Sequence, residues 1–184
     1  GYNLKQPRIS HGITNVNQFY TKRNLWILSA IRDKCKNDKN LLIWFTSQLI
    51  NVSKLNRYRP EVSFPYNPLS GTLYIGSQVA ESNVIIAYKN KMKNILKAFA
   101  NVQENNIVSV QSVTNLQMND NKIDYIFTDP PFGGNLMYSE LSFIWESWLT
   151  IFTNNKTEAI MNEPQNKDLH SYRELMTNAM KEYY

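Results

Sequence analysis

The sequence predicts an α/β fold in which helices cover the faces of a partial parallel sheet, preceded by a mainly helical segment. Two observations lead to this prediction. The first third of the 184-residue chain repeats apolar residues at the three- and four-residue steps of a helix. The second half alternates short β-branched and aromatic runs with longer amphipathic stretches, an order typical of a parallel sheet with covering helices. We therefore predict a helical segment with a proline-rich loop over residues 1–70 and a second part over residues 71–184.

The helical segment begins with an amphipathic helix that should end near Cys35. Its positions recur at helical spacing: Phe19, Arg23, Trp26, Ile27, Ala30 and Ile31. Three polar residues are suited to cap its start: Thr14, Asn15 and Asn17. The polar residues 36–40 should break this helix. Residues 41–52 are apolar on nearly all sides and lack the two-residue alternation of a strand, so we expect a buried helix there.

Residues 53–71 are predicted to form a long loop. They contain three prolines, Pro60, Pro65 and Pro68, and loops of this length are usually functional or disordered. Two tyrosines, Tyr58 and Tyr66, lie among the basic residues Lys54, Arg57 and Arg59. Such a segment can stack on nucleic-acid bases while its charges neutralise phosphates. The alternative is a proline-rich connector packed on the protein surface.

The second half supplies the predicted sheet and its covering helices. Short strands are expected at residues 71–75 (GTLYI), 107–110 (IVSV) and 123–127 (IDYIF). Helices are expected at residues 80–101, 138–152 and 169–183. One face of the first of these helices carries Val84, Ala87, Tyr88, Ile95 and Phe99.

Composition narrows the possible functions. The net charge of +5, from 20 basic and 15 acidic residues, is compatible with a polyanionic partner but does not demonstrate one. Four lysines lie close together in sequence, at positions 89, 91, 93 and 97, and we expect a helix to split them between its faces as an ordinary solvated surface.

The number of cysteines, the positions of the histidines and the lengths of the apolar runs argue against a disulfide, a metal site and a membrane span. The single Cys35 cannot form an internal disulfide, and no apolar run approaches the roughly 20 residues of a membrane span. We therefore expect a cytoplasmic protein that does not enter a membrane. His11 and His170 are far apart and have no cysteine or carboxylate cluster beside them, so no metal site is predicted.

The most informative stretch is IDYIFTDPPFGGNLMYSELSFIWESWL, residues 123–149. Its hydrophobic strand ends at Thr128, and Asp129, Pro130, Pro131 and Phe132 follow. Ligands of open α/β sheets bind beyond the carboxyl ends of the strands, so Asp129 is expected at the mouth of a cleft.

These residue types suit the binding of a planar amine. The Asp129 carboxylate and the Pro130 carbonyl can both accept from an exocyclic amino group, while Phe132 can stack on the ring. Pro131 keeps the backbone rigid, and the glycines after it allow a close approach. Accepting both amino hydrogens concentrates electron density on nitrogen and favours its attack on an electrophilic carbon. A base of a duplex reaches such a loop only when flipped out. The alternative is a plain exit from a strand into a loop.

The sequence Asp-Pro-Pro-Phe after a hydrophobic strand resembles the catalytic motif of amino-group methyltransferases, which use S-adenosylmethionine. The longer string from Thr128 to Leu149 is similar to one bacterial group, the adenine-specific DNA methylases. Other segments are similar to the same group: GITNVNQFYTKRNLWILSAI (12–31), SKLNRYRP (53–60), GTLYIGSQVAESN (71–83) and QNKDLHSYRELMTNAMKEYY (165–184). The resemblance thus covers most of the chain, and the extended string is more specific than the four-residue motif.

The resemblance implies a Rossmann-like catalytic domain that methylates the N6 amino group of adenine in DNA. It makes Asp129 and the Pro130 carbonyl the acceptors for the amine, Pro131 a rigid spacer and Phe132 the stacking residue, although the family usually has tyrosine there. It suggests that Asn115 contacts the adenine of the cofactor, although a plain turn asparagine explains it as well. Tyr138 and Glu140 are then candidates for the substrate cleft.

The family's glycine-rich cofactor loop has no counterpart in the sequence. We therefore expect the chain to be an internal piece of a longer methyltransferase that does not bind S-adenosylmethionine by itself. Two alternatives stay open. One is an amine methyltransferase acting on RNA or on a protein amide. The other is a non-catalytic nucleic-acid-binding or interaction module derived from a methyltransferase.

Overall fold

The computed structural model describes residues 2–58, 68–102 and 106–184. Six α-helices lie in these ranges: α1 Lys5–His11, α2 Lys22–Cys35, α3 Lys39–Thr46, α4 Val84–Phe99, α5 Tyr138–Leu149 and α6 Leu169–Tyr183. Short 3₁₀ helices occur at Val16–Phe19, Asn155–Thr157 and Glu163–Gln165. Helices account for 48% of the structure, and none of those found in the described ranges is long and apolar enough to cross a membrane.

The predicted α/β class, and with it the Rossmann-like sheet, is wrong. The described ranges contain no β-strand and no sheet. Their β-type pairing is limited to two isolated antiparallel bridges, Arg57 with Val79 and Asn162 with Lys167. The fold is helical, and apart from these two bridges the extended segments of the described ranges do not pair with one another.

Two of the three predicted strands have no pairing partner within the described ranges. Val108 is 88% exposed and Phe127 is 86% exposed. No hydrogen bond among the described residues involves the main chain of residues 107–110 or 123–127. A strand is stable only when its backbone donors and acceptors are paired with a neighbour. Their β-branched and aromatic composition suggested strands but could not supply the partner.

The third predicted strand, residues 71–75, is extended and half-buried but pairs with a side chain. Leu73 and Ile75 are buried while Tyr74 between them is exposed, as strand alternation requires. The Gln6 amide donates to the Ile75 carbonyl at 2.9 Å and accepts from the Ile75 amide at 3.1 Å. One glutamine therefore occupies the place that a neighbouring strand would take.

The chain divides into two compact units, each described by itself. We call the first the motif unit; it comprises Gly1–Tyr2, Asn105–Glu140 and Thr153–Tyr184. We call the second the helical unit; it comprises Asn3–Glu104 and Leu141–Phe152. Helix α5 contributes its first residues to the motif unit and the remainder to the helical unit.

The helical unit has an aromatic core centred on Phe45. The Phe45 side chain is fully buried, stacks on Tyr88 at 6.2 Å between ring centroids and meets the edge of Trp148 at 5.4 Å. The Tyr88 hydroxyl donates to the Phe45 carbonyl at 2.6 Å, and burial raises the pKa of this phenol. Trp145 donates to the Thr46 carbonyl at 3.1 Å. Buried aromatic rings whose polar atoms are all paired make this core the main source of stability in the unit.

The predicted helices are present, with different caps and ends in the first half. Helix α2 ends at Cys35 as expected, but Thr21 caps it by accepting from the Asn24 amide, while Asn15 precedes the first 3₁₀ helix. The predicted helix over 41–52 ends at Thr46. The Thr46 and Ser47 hydroxyls donate to the carbonyls one turn back, and such bonds compete with continuing the helix.

Trp26 corrects the predicted apolar face of α2. Its side chain is 81% exposed, whereas the buried residues of this helix are Asn24, Leu28 and Cys35. The face that meets the core is therefore rotated from the one that the spacing of Trp26 and Arg23 indicated. In the second half, α4 buries Val84 and Tyr88 as predicted, and α6 spans the predicted residues.

Candidate active site

The Asp-Pro-Pro-Phe segment lies at the surface of the motif unit. Asp129 is exposed, Pro130 and Pro131 are half-buried, and the Phe132 ring is 68% exposed. The loop thus presents a carboxylate and an aromatic face to solvent, with two rigid residues between them. This is an arrangement that a planar ligand can approach from outside.

Within the described residues, hydrogen bonds hold the loop at the residues that follow Pro130 but not at Pro130 or Asp129. The three carbonyls that follow all accept: Pro131 from the Tyr172 hydroxyl at 2.7 Å, Phe132 from the Asn135 amide at 3.0 Å and Gly133 from the Met161 amide at 3.1 Å. In contrast, the Asp129 carboxylate and the Pro130 carbonyl accept no hydrogen bond from any residue that the structure describes. Two neighbouring acceptors are therefore left available to an external donor.

Gly133 allows the loop to turn back against the rest of the unit. Its φ is +53°, in the left-handed region that favours glycine. A Cβ on the next residue, Gly134, would lie 3.4 Å from the Met161 carbonyl. The two glycines let residues 133 and 134 lie directly against Met161, which fixes the direction in which Phe132 leaves the loop.

Glu140 is buried and engaged in the support of this unit. Its Oε1 accepts from the Tyr2 amide at 3.1 Å and from the Asn162 side chain at 2.8 Å. Gln165 Nε2 lies 3.4 Å from the same oxygen. Glu140 therefore ties the start of α5 to the turn around Asn162, next to Met161. The other predicted cleft residue, Tyr138, is half-exposed in the first turn of the same helix.

Glu158 and Lys167 fasten the remaining part of the turn. Glu158 accepts from the Ser139 amide at 2.9 Å and from the Ser139 hydroxyl. The Lys167 ammonium donates to the carbonyls of Asn155 and Glu158, and burial lowers the pKa of this lysine. These bonds make residues 155–167 a rigid backing for the Asp129–Phe132 loop.

Asn115 lies in an exposed turn that the far end of α6 holds. Its amide donates to the Ser112 carbonyl at 3.1 Å, and the next amide, Leu116, donates to the Glu182 carboxylate at 2.7 Å. Tyr172, which holds the Asp129–Phe132 loop, is on the same helix ten residues earlier, about 15 Å along its axis. Helix α6 thus anchors both loops, and Asp168 caps its start by accepting from Ser171, which lowers the pKa of Asp168.

The predicted nucleic-acid residues of the long loop belong to the helical unit. Arg57 is half-buried, and its side chain lies over Gly76, where a Cβ would come within 3.3 Å of Arg57 Cγ. Tyr58 is 46% exposed. Lys54 is half-buried, while Arg59 and Tyr66 lie outside the described residues. Their proposed contact with nucleic acid stays a prediction.

Sequence reasoning missed Tyr172 and Met161, which hold the loop, and the residues that support its surroundings and the Asn115 turn: Asn162, Glu158 and Glu182. The one available signal was the amphipathic pattern of α6, which predicted the helix but gave no reason to connect Tyr172 with Pro131, 41 residues away. No group of three or more histidine, cysteine or acidic residues arranged to hold a metal was found in the described ranges. Comparison with known proteins adds no relative: no protein-family model, curated protein or solved structure matches the chain.

Proposed function

We propose that the chain is the amine-binding part of a methyltransferase that modifies the N6 amino group of adenine in DNA. The observation that carries this proposal is the pair of unused acceptors, the Asp129 carboxylate and the Pro130 carbonyl, beside the exposed Phe132 ring. An exocyclic amino group has two hydrogens to donate and belongs to a ring that can stack on Phe132. We place such a protein in the cytoplasm, where bacterial DNA is accessible.

The Asp129–Phe132 loop acts on the acceptor side of the reaction. Asp129 and Pro130 would hold the two amino hydrogens, which makes the nitrogen lone pair available for attack on an electrophilic methyl group, with S-adenosylhomocysteine as the leaving group. The amine loses one proton after attack, and the adjacent Asp129 carboxylate is placed to receive it. The bonds to the Pro131, Phe132 and Gly133 carbonyls hold the residues that follow the two acceptors, which favours their positioning for the amine.

The methyl donor of the proposed reaction is S-adenosylmethionine, which supplies an electrophilic methyl group. The described residues fit the amine better than this donor. The sequence lacks a glycine-rich strand-to-helix turn, and Asn115 in its exposed turn is the one predicted contact to the cofactor. The role proposed for the chain is therefore confined to holding the amine.

The choice of DNA over RNA or a protein amide rests on the resemblance carried by residues 128–149. A base in duplex DNA must leave the stack to reach Asp129, at a cost of a few kcal/mol. The exposed Phe132 ring offsets part of this cost by stacking, which is worth about 1–3 kcal/mol per base.

The test is methyl transfer by the longest natural protein that contains this sequence. Labelled S-adenosylmethionine is incubated with unmethylated DNA, RNA or a mixture of proteins, and the labelled product is hydrolysed and identified. We expect label on adenine N6 from DNA. Label on RNA or on a protein amide would mean that this molecule, and not DNA, is the substrate. No transfer by a folded protein would contradict the proposal.

One observation favours a second function, a non-catalytic nucleic-acid-binding module. The sheet that such methyltransferases use for the cofactor is absent from the described residues. The same assay separates the two functions, because a binding module would retain DNA on a filter but transfer no label to it.

A variant of Tyr172 tests how the loop is held. Tyr172→Phe removes the donor to the Pro131 carbonyl, a hydrogen bond worth about 0.5–1.5 kcal/mol. We expect the rate of methyl transfer to fall about ten-fold, since small displacements of positioned groups cost up to about a hundred-fold. Circular dichroism should show an unchanged helix content.

The matched control is Tyr183→Phe, on the same helix. No hydrogen bond joins the Tyr183 hydroxyl to any residue within the described part of the chain, so this change should leave the rate within about two-fold of wild type. Equal rates for both variants would show that Tyr172 does not position the loop.

A further inference from the structure

Helix α4, Val84–Phe99, is the most positively charged of the six α-helices in the described ranges. It contains four lysines and no acidic residue. The formal charge of the whole chain is +5, so this helix contributes +4 and all other residues together contribute +1. Helix α2 follows with +3, from Lys22, Arg23, Arg32 and Lys34 against Asp33, so α4 is distinguished by having no acidic residue.

Three of the four lysines form a single row on the outer side of this helix. Lys89, Lys93 and Lys97 are exposed and follow one another at four-residue steps. At about 100° per residue, this lysine row lies on the side opposite the buried Val84 and Tyr88. The helix does split the four lysines between its faces, as expected, but unevenly: the half-buried Lys91 alone lies on the inner side.

The lysine row is not neutralised within its own unit. In the described part of the chain, no ion pair or hydrogen bond engages the ammonium groups of Lys89, Lys93 or Lys97; the ion pair found there joins Lys36 to Asp33 at 2.7 Å. Lys167 is different, because it donates to two carbonyls and is half-buried. Exposed lysines that lack acidic neighbours keep their full charge for an external anion.

The spacing of the row suits a linear polyanion. Successive lysines are 6 Å apart along the helix axis, and the whole row spans about 12 Å. Duplex DNA carries one negative charge per about 1.7 Å of its axis, so a 12 Å length presents about seven phosphates. Each lysine can therefore meet a phosphate of its own without competition from the next.

We propose that the lysine row binds the phosphate backbone of duplex DNA as a sequence-independent anchor. This inference rests on the proposed function for its choice of DNA as the polyanion. Contacts of this kind position a protein on the duplex but read no bases. The row would therefore hold DNA without regard to its sequence.

The test is the salt dependence of DNA binding by the natural full-length protein. The affinity for a duplex is measured by fluorescence anisotropy between low and moderate salt, for wild type and for the triple variant Lys89→Gln, Lys93→Gln, Lys97→Gln. Glutamine keeps the helix propensity of lysine. Loss of three phosphate contacts should reduce the slope of log K against log salt by about 2.7, and the affinity at moderate salt should fall at least about ten-fold.

A charge-matched control removes three exposed lysines from elsewhere: Lys5→Gln, Lys34→Gln and Lys122→Gln. Its slope should stay within about 0.5 of the wild-type value, because net charge alone does not release counterions at a contact. Equal slopes for the two triple variants, or no DNA binding by wild type, would overturn the inference.

The assay also separates this inference from the proposed function. If the triple variant loses salt dependence but the wild-type protein transfers no methyl group to DNA, the anchor is kept and the reaction is rejected. If the wild-type protein methylates DNA but the triple variant has the same slope as wild type, the reaction is kept and the anchor is rejected. Tighter binding of the row to single-stranded RNA or to vesicles of anionic lipid than to duplex DNA would reject DNA as its partner.

Discussion

Replacing Asp129 with alanine is expected to lower the rate of methyl transfer about a thousand-fold. The change removes one of the two acceptors for the amine and the charge that stabilises the positive nitrogen formed on attack. Loss of a single group that stabilises developing charge in a site costs about a hundred- to a thousand-fold. The rate is measured under single-turnover conditions with labelled S-adenosylmethionine.

The structure indicates that this loss would not come from unfolding. Asp129 is exposed and accepts no hydrogen bond from the described residues, and substitutions at such positions usually change stability by less than about 0.5 kcal/mol. Asp124→Ala is the matched control, since Asp124 is equally exposed and unbonded within the described ranges. It should retain at least half of the activity. Retention of more than a tenth by Asp129→Ala would refute the role given to Asp129.

The helices were predictable because the signals that form them are local. Val84 and Tyr88 recur at the spacing that places them on one face of α4, and α6 lies over its predicted residues. Even so, the choice between the two sides of α2 was not local. Trp26 and Leu28 are equally apolar in sequence, and only packing against the core decides that Leu28 is buried.

The strands were not predictable because a strand needs a partner elsewhere in the chain. Residues 107–110 and 123–127 have the composition of strands, but nothing in the described part of the chain pairs with them. The Gln6 side chain pairs with Ile75 across 69 residues, a contact that no local pattern could indicate. Side-chain composition predicts extended backbone, whereas pairing depends on what the rest of the chain places beside it.

The candidate site likewise has one part that the sequence could predict and one part that it could not. The residue types of Asp129, Pro130 and Phe132 indicated their chemistry directly. Their support comes from Tyr172 and Met161, which are distant in sequence and carry no motif. The sequence could therefore predict which groups face the amine, while only the structure could identify those that hold them.

The second large effect is expected for Phe45→Ala, which should lower the free energy of unfolding of the helical unit by about 3–5 kcal/mol. The side chain is fully buried between Tyr88 and Trp148, so its removal leaves a cavity that rigid aromatic neighbours cannot fill. Domains are stable by about 5–15 kcal/mol, and the variant should therefore unfold at a much lower urea concentration. All four tryptophans lie in the helical unit, so their fluorescence reports on this unit alone.

Phe152→Ala is the control that distinguishes burial from the loss of a phenyl ring. Phe152 belongs to the same unit and contacts Phe143 at 5.8 Å, but it is 59% exposed. Its removal should cost less than about 1 kcal/mol, because an exposed ring forfeits little contact and leaves no cavity. Equal urea midpoints for Phe45→Ala and Phe152→Ala would mean that Phe45 is not the centre of the core. A large loss at Phe45 alone would establish that the stability of this unit is held by aromatic packing, independently of the Asp129–Phe132 loop and its chemistry.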